Sequence, residues 1–170
     1  LVADWVNEWG EDETEMLCMY FNDIPRLNMR VNQLATSPKR LVSYFAKRDV
    51  AIEQTSMSKN MLHTRQPREV LHDVAHSEGY FSIQDPSAAL IAELLQPQPG
   101  QSVLDLFAGP GGKCTYIGEM MRNEGEVIAV DKIPNKVKKL RQAAQRLQIS
   151  IINTITTDCF TYGPVAPAYD

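Results

Sequence analysis

Apolar positions along the chain change period several times, and each change marks an element. In residues 1–21, Trp5, Trp9, Met16, Leu17 and Tyr20 recur at helical spacing, and Gly10-Glu11-Asp12 splits them into two short helices. A surface helix pair that packs on something else is the expectation there. Leu27-Asn28-Met29-Arg30-Val31-Asn32 alternates as a half-buried strand does. Ser37-Pro38 opens a helix that runs to about Lys47, with Ser37 as N-cap and Leu41, Val42 and Phe45 on one face. Val50-Ala51-Ile52 predicts a strand, and Met61-Leu62-His63 and Val70-Leu71 predict weaker strands or turns. Residues 79–86 form an extended lead, because Pro86 forces Asp85 away from helical angles. Asp85 then caps a helix from Ser87 to Leu95, with Leu90, Ile91, Leu94 and Leu95 on one side, and Pro97, Pro99 and Gly100 end it.

The second half alternates more regularly. Val103, Leu104 and Leu106 predict a strand, followed by the turn Gly109-Pro110-Gly111-Gly112 and a helix from Thr115 to Met121. Residues 126–131 form a buried-type strand ending in an acid, 135–147 a basic amphipathic helix, and 151–157 a β-branched strand followed by Asp158. This is the first half of a doubly wound parallel sheet. The fold class is therefore α/β, a small N-terminal α/β (ferredoxin-like) module followed by half of a Rossmann-like sheet. The expected organisation is a helical segment at 1–25, a small RNA-recognition-like module at 26–78 and a ligand-binding half-domain at 79–170.

Charge changes the picture only locally. The net charge of −4 argues against a uniformly basic nucleic-acid binder. Residues 1–25, however, hold seven acids and no Lys or Arg, so the rest carries 17 bases against 14 acids. That body is weakly basic and can hold phosphates locally. No apolar run approaches the ~20 residues of a membrane span, so no membrane is expected. Cys18, Cys114 and Cys159 are odd in number and lack metal-ligand spacing. Free thiols fit a cytoplasmic location, with no metal. Leu1 is not an initiator and Asp170 falls in mid-pattern, so the sequence reads as a piece of a longer protein.

Three acids, Asp105, Asp131 and Asp158, end successive strands at the edge where open α/β sheets bind ligands. Asp131 follows the glycine turn at the distance where an acid accepts from ribose hydroxyls. Asp158 can accept from an adenine amine, and the Cys159 amide can donate to the ring. An adenosine-containing ligand satisfies this set. A dinucleotide needs a third fingerprint glycine that this loop lacks, and Pro110 removes an amide donor. S-adenosylmethionine has no pyrophosphate. Asp105 can orient its ammonium and loop amides can take its carboxylate, so it is the preferred cofactor.

The run Leu104-Asp105-Leu106-Phe107-Ala108-Gly109-Pro110-Gly111-Gly112-Lys113 resembles the first motif of the RNA 5-methylcytosine methyltransferases of the Nol/Nop/Sun family, including the bacterial Sun (Fmu) and RsmB/RsmF-like types. Arg30-Val31-Asn32, the Gln84-Asp85 segment and Pro97-Gln98-Pro99-Gly100 resemble further marks of that family. Phe107 and Gly109 depart from its usual Cys and Ala, toward the DNA 5-cytosine enzymes. Lys113 and the upstream segments favour RNA. The resemblance implies cofactor contacts at Phe107, Ala108, Gly109, Pro110, Gly111, Gly112, Lys113, Asp131 and Asp158, with Cys159 beside them. It also implies transfer of a methyl group to cytosine carbon 5 of RNA, ribosomal RNA being the expected substrate. The family's catalytic cysteine is expected beyond residue 170, so these residues alone are expected to be inactive. The alternatives are a methyltransferase acting on DNA or another substrate, and a non-catalytic RNA-binding or assembly protein.

Other residues carry blander expectations. Cys114 and Cys159 read as packed thiols, and His63, His72 and His76 as scattered surface or core histidines. Lys132, Lys136, Lys138, Lys139, Arg141 and Arg146 read as a solvated face. Arg30 anchors the small module or meets RNA. Gln84 and Asp85 line an active site or cap a helix.

Overall fold

A computed structural model describes residues 1–163. Its order is α1 (Val2–Trp9), α2 (Glu11–Asn22), β1 (Leu27–Val31), α3 (Pro38–Ala46), β2 (Glu53–Gln54), β3 (Met61–Thr64), α4 (Pro67–Leu71), α5 (Val74–Ser77) and β4 (Phe81–Ile83). Then follow α6 (Pro86–Leu95), β5 (Ser102–Asp105), α7 (Gly112–Met120), β6 (Glu126–Asp131), α8 (Pro134–Arg146) and β7 (Ile152–Thr156).

The first four strands form an antiparallel sheet ordered β2-β3-β1-β4. Strand alternation gives it two faces. Met29, Val31, Leu62 and Phe81 join Leu41 and Phe45 of α3 in one core. Arg30 lies opposite Met61 on β3, and Met61 packs into the second core. β4 lies beyond residue 79 but pairs with β1. The segment entering α6 is thus a strand of the first sheet.

The last three strands form a parallel sheet ordered β5-β6-β7. In register, Asp105 meets Ala129 and Asp131 meets Thr156, so the strand ends share one edge. α7 buries Tyr116, Ile117 and Glu119, and α8 buries Val137, Leu140 and Ala144.

Ser37 caps α3 by accepting from the Arg40 amide, and Asp85 caps α6 by accepting from the Ser87 amide, both with Pro at the first turn. Three local expectations are corrected. Val50 and Ile52 are buried, but the ladder begins at Glu53. Alternation there reports burial from coil rather than strand pairing. Val70-Leu71 lies in α4, which Pro67 starts. α6 buries Ala89 and Ala92, while Ile91, Leu94 and Leu95 face solvent.

α1 and α2 stack as a hairpin through Trp5, Trp9 and Phe21, with ring centroids 6.0–6.2 Å apart. A forked Asp23–Arg65 contact at 3.0 and 3.2 Å ties its end to the first sheet. Trp9, Met16, Met19, Tyr20 and Phe21 are exposed.

Candidate functional site

The site grows from the end of β5. Asp105 turns back on the chain, its Oδ1 accepting from the Phe107 amide at 3.0 Å. The Ala108 amide donates to the Val130 carbonyl at 3.0 Å, which holds the loop against β6. The Gly109 amide donates to Asp131 Oδ2 at 3.0 Å, while Asp131 Oδ1 accepts from the Ile133 amide at 2.9 Å. Asp131 is only 8% exposed and braces both sides of the corner.

Glycine is required at two loop positions for different reasons. At Gly109 an added Cβ would lie 2.4 Å from Lys136 Cβ and 2.7 Å from Asp131 Oδ2. Gly111 has φ +108°, the left-handed region, and its Cβ would lie 2.7 Å from Leu140 Cγ. The close approach of loop to α8 leaves Gly111 as N-cap of α7. The first-turn amides of a helix have no intrahelical partner, so they remain free to donate.

A cleft of about 160 Å³ opens beside this corner. Leu106, Phe107, Asp131, Ile133, Asp158 and Phe160 shape it, with Lys132, Lys136 and Cys159 completing the lining. Phe107 and Phe160 are exposed rings at its mouth. Asp158 keeps its own turn by accepting from the Phe160 amide at 3.0 Å. Four of the expected site residues, Phe107, Asp131, Asp158 and Cys159, therefore meet in one cleft. Ala108 is buried behind it, Pro110 and Lys113 are exposed, and Gly111 and Gly112 begin α7. Asp105 lies at the inner end of the loop, where Cys114 Sγ donates to its Oδ2 at 3.1 Å. Burial, reinforced by the Asp105 charge, pushes the Cys114 thiol far above its ordinary range, so it is a packed group.

The residues upstream of the corner act from behind it. Arg30 is fully buried and forms an ion pair with Glu119 Oε1 at 2.7 Å. It also donates to the Gly112 carbonyl at 2.6 Å, to Thr115 Oγ1 at 3.1 Å and to Gln84 Oε1. Its guanidinium sits 4.8 Å from the Tyr116 ring centroid. Arg30 is thus an anchor. Gln84 is its buried partner, and Asp85 is the cap of α6. Asn32 Nδ2 donates to Gly79 O at 2.9 Å and Leu147 O at 3.0 Å. Burial raises the Glu119 carboxyl to about 7 against the opposing pull of Arg30. Glu93 accepts from Tyr116 and Ser58, and burial with the Glu93 bond pushes the Tyr116 hydroxyl up to about 12.

Sequence reading missed Glu119 and Tyr116. The available signal was an acid among the mostly apolar residues 114–121. Of the basic face, Lys132, Lys136, Lys138 and Lys139 are exposed. Arg146 departs from it, half-buried and donating to His76 O at 2.6 Å and Phe81 O at 2.9 Å. His63 is a core histidine, 8% exposed and in contact with Arg26 at 2.9 Å and Glu53 at 3.2 Å. Among the described residues no three His, Cys, Asp or Glu are placed to hold a metal ion. No described helix is long and apolar enough to cross a membrane. The Tyr169-Asp170 lead toward a catalytic cysteine lies outside the described residues.

An antiparallel module docked on a parallel sheet whose glycine corner and acids share one edge defines an α/β protein of Rossmann-like type. Comparison with known proteins narrows this. The family model described as 16S rRNA methyltransferase RsmB/F matches residues 92–166, and that of the RsmF/B-like ferredoxin-like domain matches residues 1–71. The two matches together span most of the chain, which belongs to the RsmB/F methyltransferase family. A probable ribosomal RNA small subunit methyltransferase B of Synechocystis is 33% identical, over 96% of this chain and 38% of its own length. The human tRNA (cytosine(72)-C(5))-methyltransferase NSUN6 is 48% identical over 48% of this chain and 17% of its own. The solved structure of a methyltransferase homolog from Pyrococcus horikoshii has a TM-score of 0.79 at 28% identity, covering 88% of this chain and 49% of that one. The chain therefore spans well under half the length of the curated relatives it matches.

Proposed function

We propose that this chain supplies the S-adenosylmethionine-binding part of an RNA methyltransferase that acts on carbon 5 of cytosine. The observation that carries the reading is the cleft where Phe107, Asp131 and Asp158 meet beside the glycine corner. Relatives named as ribosomal and transfer RNA methyltransferases support the class of reaction.

The residues fit the cofactor in chemistry. Asp131 has spent one lone pair of each oxygen on backbone amides. A carboxylate offers about four acceptor sites, so two remain for ribose hydroxyls. Phe107, Ile133 and Phe160 offer apolar surface to a base, and Asp158 with the Cys159 amide reads its polar edge. The first-turn amides of α7 receive the amino-acid carboxylate, and Asp105 takes the ammonium. When bound, the cofactor supplies an electrophilic methyl group. Lys132 and Lys136 place positive charge on the rim, where an RNA phosphate would approach. Cys114 does not serve as nucleophile, because its thiol is buried and held protonated.

Calorimetric titration of the full-length protein with S-adenosylhomocysteine tests the reading. Wild type binds, and Asp131→Ala loses measurable binding. Unchanged affinity in that variant removes the assignment.

A further inference from the structure

We propose that Arg30, a residue of the first sheet, is a positioning residue for the methyl-donor pocket: it aims the first-turn amides of α7. This rests on the cofactor reading above. The geometry starts with strand alternation. Met29 and Val31 point into the first core, so Arg30 points from β1 toward α7. A guanidinium taken fully out of water costs several kcal/mol unless it is paired. Here Glu119 supplies the counter-charge, and Gln84, Gly112 and Thr115 supply three further acceptors.

The contact with Gly112 is the informative one. A bond to Glu119 alone would suffice to neutralise the charge, and it touches the third turn of α7. The bond to the Gly112 carbonyl instead touches the loop end. A trans peptide is planar, with its C=O and N–H pointing in opposite directions. Holding the Gly112 carbonyl from behind therefore turns the Lys113 amide forward, away from Arg30. Thr115 does the same one residue earlier. Its hydroxyl donates to Gly111 O at 2.8 Å, which turns the Gly112 amide forward, and it accepts from Arg30. Gln84 accepts from the same guanidinium nitrogen, Nη1, that holds the Gly112 carbonyl, and it lies beside Gly112, 3.7 Å from where a Cβ would stand. The two amides so aimed are donors that a helix start leaves unpaired. They suit the carboxylate at the amino-acid end of the cofactor, while the ribose and base fall to Asp131 and Asp158.

The test separates aiming from support by using two ligands on the full-length protein. S-adenosylhomocysteine carries the amino-acid end, and 5′-methylthioadenosine lacks it. Arg30→Lys retains the charge for Glu119 but loses the planar fork. It is expected to weaken S-adenosylhomocysteine at least tenfold and to leave methylthioadenosine within twofold. Thr115→Val shows the same selectivity, and it carries the test if Arg30→Lys does not fold. Asn32→Ala, which loosens the module joint away from α7, lowers the melting temperature without separating the two ligands. Equal weakening of both ligands by Arg30→Lys or Thr115→Val, or no weakening of either, overturns the proposal. Failure of wild type to bind either ligand overturns the cofactor reading instead.

Discussion

Glu119 shows how one buried carboxyl ties stability to pH. Its pKa rises from the ordinary 4.5 to about 7, chiefly by burial. A native pKa above the unfolded value adds stability that is complete below about pH 4.5 and disappears as pH rises to about 7. Burial moves His76 the other way, downward from 6.5, with Arg146 adding to the effect. That contribution is present above pH 6.5 and is lost below it, so the two groups oppose each other in one window. Comparison with Glu119→Gln isolates the first. Between pH 5 and 7.5 the wild-type melting temperature should fall relative to that variant. Parallel profiles across this range would mean that Glu119 stays ionised throughout. Single residues were also the scale at which the sequence was least legible. Asp131, Asp158 and the glycine turn are local signals, set by strand period and loop chemistry. Arg30 and Glu119 are 89 positions apart, and nothing local in either segment announces the pair.

At the scale of elements, α6 separates apolar character from burial. Its alanines lie inward against α7, so the helices approach closely, and its leucines lie outward. Ala92→Leu forces a larger side chain into a position 1% exposed and should cost about 1–3 kcal/mol. Leu94→Gln, at a position 82% exposed, should change stability by no more than about 0.5 kcal/mol. Urea unfolding of the two variants checks both, and a larger loss for Leu94→Gln would show that this face is covered in solution. Caps and strand ends were readable because Ser37, Asp85 and the prolines act within a few residues. The buried side of α6 was not, since small and large apolar residues alternate there with the same period. Val50 and Ile52 misled for a related reason: their burial is real, but among the described residues no strand pairs with them.

For the whole molecule, the joint between the two sheets is polar as well as apolar. Arg30, Asn32 and Arg146 all reach across it to carbonyl oxygens. Arg146→Ala removes the donor to His76 O and Phe81 O and should lower stability by about 1–3 kcal/mol. Unfolding followed by far-ultraviolet circular dichroism and by tryptophan fluorescence should still give coincident transitions. Both tryptophans lie in α1, so two separated transitions in wild type would show that the α1–α2 hairpin unfolds apart from the rest. The alternation of elements made both sheets foreseeable. Their union was not, because it depends on side chains that lie far apart in the chain.

The pairing of Arg30 with Glu119 also bears on inheritance. A module held only by apolar contact can be exchanged for another of similar shape, and the seam will tolerate it. Here an exchange that brings in a strand without the arginine strands a carboxylate in the interior, and one that changes α7 strands a guanidinium. Breaking such a buried pair from one side costs about 3–5 kcal/mol, a large part of the stability of a typical domain. Exchanging one module without the other therefore carries a cost in stability that selection would see.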